Sequence, residues 1–459
     1  MQIEKQNKGM RKGEFRLYPS KPQLIALKNM LVLHARLYNA LLEQRQHVWK
    51  SHKKGLSFRS QCKEITKLRE EMPEFENLNA QSLQVTAKRL DLAFQAFFRR
   101  LAGGETPGYP RFKATNSYSG WGYKSHGDGW KLNTWGVGKA GKRTGELSLS
   151  GVGMLRIRGR IRNAGAPKTM EILHRNGNWY ASVTFDCPNI ERDRGDNVTS
   201  LDWGVATFVT KAKVTSEKWE EAQVSSKISL ADIAFDEVKN PRHLQKVFKK
   251  LIVMQKNLSR KKIGSNRRSK TKAKLARVHQ KVTYIRDDFL HKEAAKNVAD
   301  SKKIITESLD VVSMTEKGKS KRKRTRNRNI LDTAPGKYLQ LLESKASEAG
   351  CGYTEINTRK EKPSQTCPAC RHQRKKEISE RIHICAECGF TLSRDRAATV
   401  VMLLAGTTWK LKLSWQRGIE NLSIQRAGGR RRTGRNAKAV PVSRETPSVS
   451  EAKADDQVE

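Results

Sequence analysis

Apolar residues recur at spacings of three and four along Leu24, Leu27, Leu31, Tyr38, Leu41 and Leu42, with His34 in line. That spacing predicts one buried helical face, with Ser20 as its cap and Pro22 in its first turn. The short alternating stretch Phe15 to Tyr18 before it reads as a strand. A second helix is predicted over roughly 58 to 72 and a third over about 79 to 101, striped by Leu83, Ala87, Leu90, Ala93, Phe94 and Phe97. The pattern then breaks in "GGETPGYPRFKATNSYSGWGYKSHGDGW", where glycines and aromatics exclude a helix. Between about 130 and 187 the period falls to two, and Asn176-Gly177-Asn178 marks a hairpin turn. These strands predict a small β-barrel or sandwich, split in sequence by the helical lobe.

From about 197 onward, strands and helices alternate, which predicts an α/β domain. "VTSLDWGVATFVTKAKV" reads as two strands joined at Gly204, and a long basic helical stretch follows from about 240 to 300. Strand "KKIITESLDVV", a helix near 335 to 349, strand "CGYTEIN" and a helix after Arg394 complete the set. Beyond about 406 the chain turns polar and is predicted to be a disordered tail.

Composition narrows the partners. Lys and Arg number 91 against 46 Asp and Glu, a net charge of +45, so a polyanion is expected and nucleic acid favoured over a membrane surface. No run of 18 apolar residues occurs, and the first residues lack the apolar stretch of a signal peptide. Four of seven cysteines form two C-x-x-C pairs and the other three are scattered, a usage that fits a reducing cytoplasm better than a disulfide framework.

Those pairs, Cys367/Cys370 and Cys385/Cys388, flank 14 residues. Four thiolates are the tetrahedral set of a closed structural zinc site, which leaves no open position for hydrolysis. His383 is a weak rival ligand. The cluster reads either as a finger touching phosphate through its basic residues or as a clip that holds Asp395 nearby. Asp202 and Glu307 lie on apolar strands and Asp395 precedes a helix. Singly, each has a bland explanation as a turn, surface or cap residue. Together, in so basic a chain, they suit a Mg²⁺ site, with two ions for phosphodiester hydrolysis. Arg260, Lys261, Lys262, Arg267 and Arg268 are expected to form a phosphate-facing helical strip. The run from 317 to 328, with Lys321, Arg322, Lys323 and Arg324, reads as a solvated loop or a mobile segment against a nucleic-acid duplex. Trp121, Trp130 and Trp135 fit base stacking or barrel packing equally well.

In this order, "FRLYPSKPQ", "LDLAFQAFFRR", "GYPRFKA", "SLDWGVATFVT", "RDDFLHK", "IITESLDV", "PSQTCPAC", "CAECGF" and "SRDRAA" resemble the TnpB nucleases of bacterial insertion sequences, relatives of the type V CRISPR effectors. The likeness spans about 14 to 403. It implies a multidomain α+β fold: a split β-barrel wedge domain (1–19 and 103–194), an inserted helical recognition lobe (20–102), a RuvC (RNase H-like) nuclease domain (195–360 and 391–405), a zinc ribbon insert (361–390) and a tail (406–459). It further implies Asp202, Glu307 and Asp395 as catalytic carboxylates and a guide RNA from the element end. A double-stranded DNA target beside a short flanking motif is also implied, and a monomer is expected over a dimer. Phe58 and Gln84 fall at positions resembling motif contacts. Ala397 and Val401 stand where the family commonly has asparagines. A compact CRISPR effector and a non-cleaving RNA-guided repressor are the rival readings.

Overall fold

In the computed structural model, the structure describes residues 9–135, 144–159, 165–187, 195–316, 318, 320–377 and 380–415. Strand β1 (Gly9–Tyr18) leads into four helices: α1 (Lys21–His52), α2 (Phe58–Glu71), the single turn α3 (Pro73–Glu76) and α4 (Ala80–Ala102). The start of α1 follows from its first residues: the Gln23 side chain accepts from the Ser20 backbone N–H at 2.9 Å, and Pro22 occupies the first turn. Its buried face carries Leu27, Leu31, Tyr38, Leu41 and Leu42, with His34 among them. His34 stacks on Trp121 at 5.2 Å and meets the Thr86 hydroxyl through Nδ1 at 2.9 Å. Burial, then the nearby Arg89 charge, pull its pKa down to about 3, so it is a neutral packing residue.

Strands β2 (Gly120–Tyr123), β3 (Trp130–Trp135), β4 (Thr144–Leu149), β5 (Gly153–Arg158), β6 (Ala166–Arg175) and β7 (Asn178–Cys187) join β1 in one antiparallel sheet ordered β2-β6-β7-β1-β5-β4-β3. The order has two ends, so among the described residues this is a half-barrel, where a small barrel or sandwich was expected. The helices pack over β2 and share one core with the sheet, in which Trp121 and Trp130 are buried. Packing therefore accounts for these two tryptophans, and the Trp135 side chain lies outside the described residues. Strand β1 is ten residues long where four were predicted. Its early part is glycine and alternating charge, and its partner β7 supplies the apolar face.

The second half is built on β8 (Asn197–Trp203), β9 (Thr207–Thr215), β10 (Lys227–Ser229), β11 (Ala234–Lys239), β12 (Ser301–Glu307) and β13 (Gly352–Ile356). Five of these form a sheet ordered β11-β9-β8-β12-β13, with β11-β9-β8 antiparallel and β8-β12-β13 parallel. Its helices are α5 (Ser216–Ser225), α6 (His243–Ser259), α7 (Asn266–Ala299), α8 (Val311–Met314), α9 (Lys321–Thr333), α10 (Pro335–Ala349), α11 (Thr358–Glu361) and α12 (Arg394–Ala405). Helices α7 and α10 cover one face of the sheet and α12 the other, each over a separate apolar core. A hairpin, β14 (Ile382–Ile384) with β15 (Thr391–Ser393), precedes α12, and β16 (Lys412–Ser414) follows it.

Three expectations need correction. The basic run is helical from Lys321, because Ser320 caps Lys323 N–H and Ile330 anchors the helix in the core. The tail does not begin at 406: Leu411 and Leu413 are buried, and β16 pairs in parallel with β10. Only 416–459 of that stretch lies outside the described residues. The hairpin strand Thr391–Ser393 also runs past the ribbon boundary drawn at 390.

Gly204 turns the chain from β8 into β9 directly after Asp202 and Trp203. A Cβ there would stand 2.6 Å from the Thr207 carbonyl oxygen. Gly204→Ala is expected to cost about 1–3 kcal/mol through backbone displacement, read by denaturant unfolding, and to lower activity by moving Asp202.

Candidate active site and metal centre

The parallel register of β8 and β12 places two acids side by side. Leu201 pairs with Thr306, so the next residues, Asp202 and Glu307, are neighbours on adjacent strands and share the face under α12. Ser200 on that face donates its hydroxyl to the Thr399 carbonyl of α12 at 2.8 Å, which ties the helix to the strand. Asp395 sits in the first turn of that helix, where the N-terminal dipole favours an anion. Ser393 caps the helix through Arg396 N–H at 3.4 Å.

The charges of this corner act on one another. Asp202 keeps partial access to solvent but is packed by protein on most sides. Its pKa lies well above the carboxylate range, through burial first and then the charges of Glu307 and Asp395, with Arg394 opposing. Glu307 is 9% exposed and burial pushes its pKa up to about 7, although the Trp203 backbone N–H stabilises its anion. Arg394 donates to Asp395 Oδ1 through Nη2 at 3.1 Å and Nε at 3.3 Å. A corner so loaded with negative charge is relieved by protons or by hard cations, and carboxylates are the donors Mg²⁺ prefers. By composition and placement, Asp202, Glu307 and Asp395 fit such an ion.

The cysteines fit zinc more tightly. Cys367 Sγ lies 3.7 Å from Cys388 Sγ, and Cys370 Sγ lies 3.5 Å from Cys385 Sγ. All four sulfurs fall within 4.8 Å of one another. Four thiolates about 2.3 Å from one ion would stand about 3.8 Å apart, whereas a disulfide needs about 2.05 Å. Each pair forms a tight turn: Arg371 N–H returns to Cys367 O, and Gly389 N–H to Cys385 O, both at 2.9 Å. The N–H groups of Ala369 and Cys370 point at Cys367 Sγ, where burial still pushes the thiol up, and those of Glu387 and Cys388 point at Cys385 Sγ, where against burial they help bring it down to about 7. His383 is buried outside the cluster, with Nδ1 against Lys376. Hairpin β14–β15 runs from this site into Arg394, and buried Phe390 and Leu392 join the core beneath α12. Trp409 latches the far side: its indole donates to Glu361 at 2.6 Å, and its carbonyl accepts from Arg371 at 2.7 Å.

Other predicted contacts divide. Phe58 begins α2 with the Lys88 ammonium over its ring at 5.0 Å, and Gln84 accepts from Lys124 at 2.7 Å. Lys88 and Lys124 both act on Cys62, one turn from Phe58, so these residues gather on one surface. Sequence reasoning missed both lysines. Lys88 lies one turn from Gln84 and was findable by periodicity; Lys124 arrives on β2's trailing end and was not. Arg260, Lys262 and Arg267 are exposed at the α6–α7 turn. Arg268 instead caps α6 through the carbonyls of Leu258 (2.7 Å) and Lys261 (3.0 Å), and Lys261 bonds Thr271 at 2.6 Å. The strip is therefore a turn, two of whose cations are spent on holding it. Lys321, Arg322, Lys323 and Arg324 are all exposed on the first turn of α9.

The chain matches the family model described as "Probable transposase" (OrfB_IS605) over residues 183–318 and that described as "Cas12f1-like, TNB domain" over 336–402. It is 26% identical over 403 residues to a protein of Streptomyces pristinaespiralis named "Putative RNA-guided DNA endonuclease", covering 86% of this chain and 88% of that one. It is also 26% identical over 338 residues to "Putative RNA-guided DNA endonuclease InsQ" of Escherichia coli (strain K12), covering 71% of this chain and 74% of the other. Its fold is similar to the Cas12f1 chain of a Cas12f1–sgRNA–target DNA complex, with a TM-score of 0.54 at 13% identity over 86% of this chain and 99% of that one. The mini-RNA-guided endonuclease Cas_phi3 gives 0.53 at 9% identity, over 89% and 93%.

Two outcomes follow. Cys385→Ser is expected to lose the metal of this centre, read by elemental analysis, and to expose 362–393 to protease, while any residual cleavage keeps its target choice. Glu307 holds its proton more tightly folded than unfolded. Its contribution to stability is therefore full below its ordinary 4.5 and lost as pH rises through about 7. In buffer free of added divalent ions, the melting temperature should fall across that window, and Glu307→Gln should flatten the fall; parallel curves would reject the assignment.

Proposed function

We propose that this chain, a relative of the insertion-sequence transposase family and of the Cas12f1-like nucleases, is an RNA-guided DNA endonuclease of the TnpB type. Its relatives carry that activity in their names, and the transposase match favours an insertion-sequence origin over a CRISPR array. The observation that carries the reading is the corner where Glu307 stands in register beside Asp202 beneath the helix that presents Asp395. We assign the five-stranded sheet with α12 as a RuvC-like domain, the cysteine segment as its zinc ribbon, the half-barrel as the wedge and α1–α4 as the recognition lobe.

In this assignment Asp202, Glu307 and Asp395 hold Mg²⁺, which when bound activates water and stabilises the charge of the phosphoryl transfer. The chain's own residues do the positioning. Ser200 and the Ser393 cap fix α12, Trp203 N–H orients Glu307, and the ribbon holds the chain entering Asp395. Phe58, Gln84, Lys88 and Lys124 form a compact surface of one aromatic ring, one amide and two ammonium groups, suited to the flanking duplex. The exposed cations Arg260, Lys262, Arg267 and Lys321 to Arg324 supply sequence-independent phosphate contacts whose strength falls with salt. The guide RNA carries the sequence information, as in other RNA-guided nucleases.

The test is purification of the full chain with its RNA, sequencing of that RNA, and cleavage of a plasmid library carrying its complement beside randomised flanks. Asp202→Ala should lower cleavage at least about a hundredfold while leaving RNA content unchanged. Undiminished cleavage by that variant would remove Asp202 from the site.

A further inference from the structure

Arg394 occupies the joint between the ribbon hairpin and α12. Its backbone N–H donates to the Arg381 carbonyl at 2.8 Å, closing the hairpin, and it is the first residue of the helix. A positive charge at a helix N-terminus is electrostatically disfavoured, and a guanidinium cannot shed it. What compensates is in view: the side chain, 17% exposed, turns onto Asp395 and its charge also reaches Asp202. The next arginine, Arg396, leaves the corner, pairing with Glu237 at 3.3 Å and lying over Phe235. Among the described residues, the four cysteines are the one group of potential ligands whose donor atoms all lie within 4.8 Å of each other. Asp395, by contrast, is held on the guanidinium.

We propose that Arg394 is a resident counter-ion of the carboxylate corner, neutralising it when no divalent cation is bound and competing with a divalent cation for Asp395. The proposal rests on the reading of Asp202, Glu307 and Asp395 as a cation site. It makes divalent binding an exchange of one positive charge for another. The corner then stays folded without metal, and the metal concentration at which the site fills is set higher than three bare carboxylates would require.

Two quantities test it in the full, zinc-loaded chain: the melting temperature without added divalent ion, and Mn²⁺ affinity by electron paramagnetic resonance, with Asp202→Ala subtracting ions bound elsewhere. Arg394→Gln should bind Mn²⁺ roughly five- to tenfold more tightly and melt at least about 2 °C lower without it. Arg394→Lys, which keeps the charge but loses the fork, should fall between and covers the case in which the glutamine variant does not fold. Unchanged values in both variants would leave Arg394 a surface ion pair and overturn the proposal, as would weaker Mn²⁺ binding in either. Equal Mn²⁺ binding by wild type and Asp202→Ala would instead overturn the carboxylate site itself.

Discussion

Three carboxylates must share one half-dry corner, and much of the second half of the chain is arranged around that repulsion. Strand β8 lies at the centre of its sheet, antiparallel to β9 and parallel to β12. The parallel pairing is what sets Glu307 level with Asp202; an antiparallel partner would have carried the acid away from the strand's end. The third acid comes from the helix lying across the same face. Its position depends on one hydroxyl–carbonyl bond, from Ser200 to Thr399, and on how the chain enters the helix. A shift of β8 by one residue would turn Asp202 to the opposite face, away from α12.

In the proposed assignment, two metal chemistries divide this task. A closed thiolate centre supplies rigidity and, by itself, no reactivity. It is placed where rigidity matters, at the entry to α12, with Phe390 and Leu392 carrying its hairpin into the core under that helix. The carboxylate corner is the opposite kind of centre, with oxygen donors, partial solvent access and an arginine in attendance. The segment after α12 braces the pair from behind, through Trp409 on Glu361 and Arg371 and through β16 on β10.

Legibility in the sequence followed the range of the interactions. Helices α1, α2 and α4 declared themselves because their apolar stripes are local and their caps are neighbours in sequence. The pairing of Asp202 with Glu307 could be suspected from residue type and family likeness, but the register that makes them neighbours joins residues about a hundred apart. The first half of β1 was hidden because its apolar complement lies on β7. Helix α9 reads as a loop because its dense like charge outweighs the good helix propensity of Lys and Arg, and its buried anchors, Ile330 and Thr333, lie past the basic run. Residues 406–414 were assigned to the tail by a composition taken over the whole C-terminal stretch, which diluted Trp409, Leu411 and Leu413. Arg268 looked like its neighbours until the carbonyls it caps were in place. Arg394 was noticed as part of a motif, yet nothing in the sequence said which way its side chain turns.

The charge of +45 bears on the whole molecule as well as on its partners. Self-repulsion of that size works against the compact state, and each exposed cation left without a carboxylate adds to it. The two halves are joined by modest contacts, among them Arg11 with Glu348 at 3.1 Å and the Tyr180 and Tyr284 hydroxyls with Gln280. A polyanion laid against the exposed cations of the α6–α7 turn and α9 removes part of that repulsion. In the proposed function that polyanion is the guide, so binding RNA contributes to the stability of the folded chain by mass action. Stability and target recognition are then not separate properties of this protein. The cations that draw in nucleic acid are those whose repulsion the fold must otherwise bear.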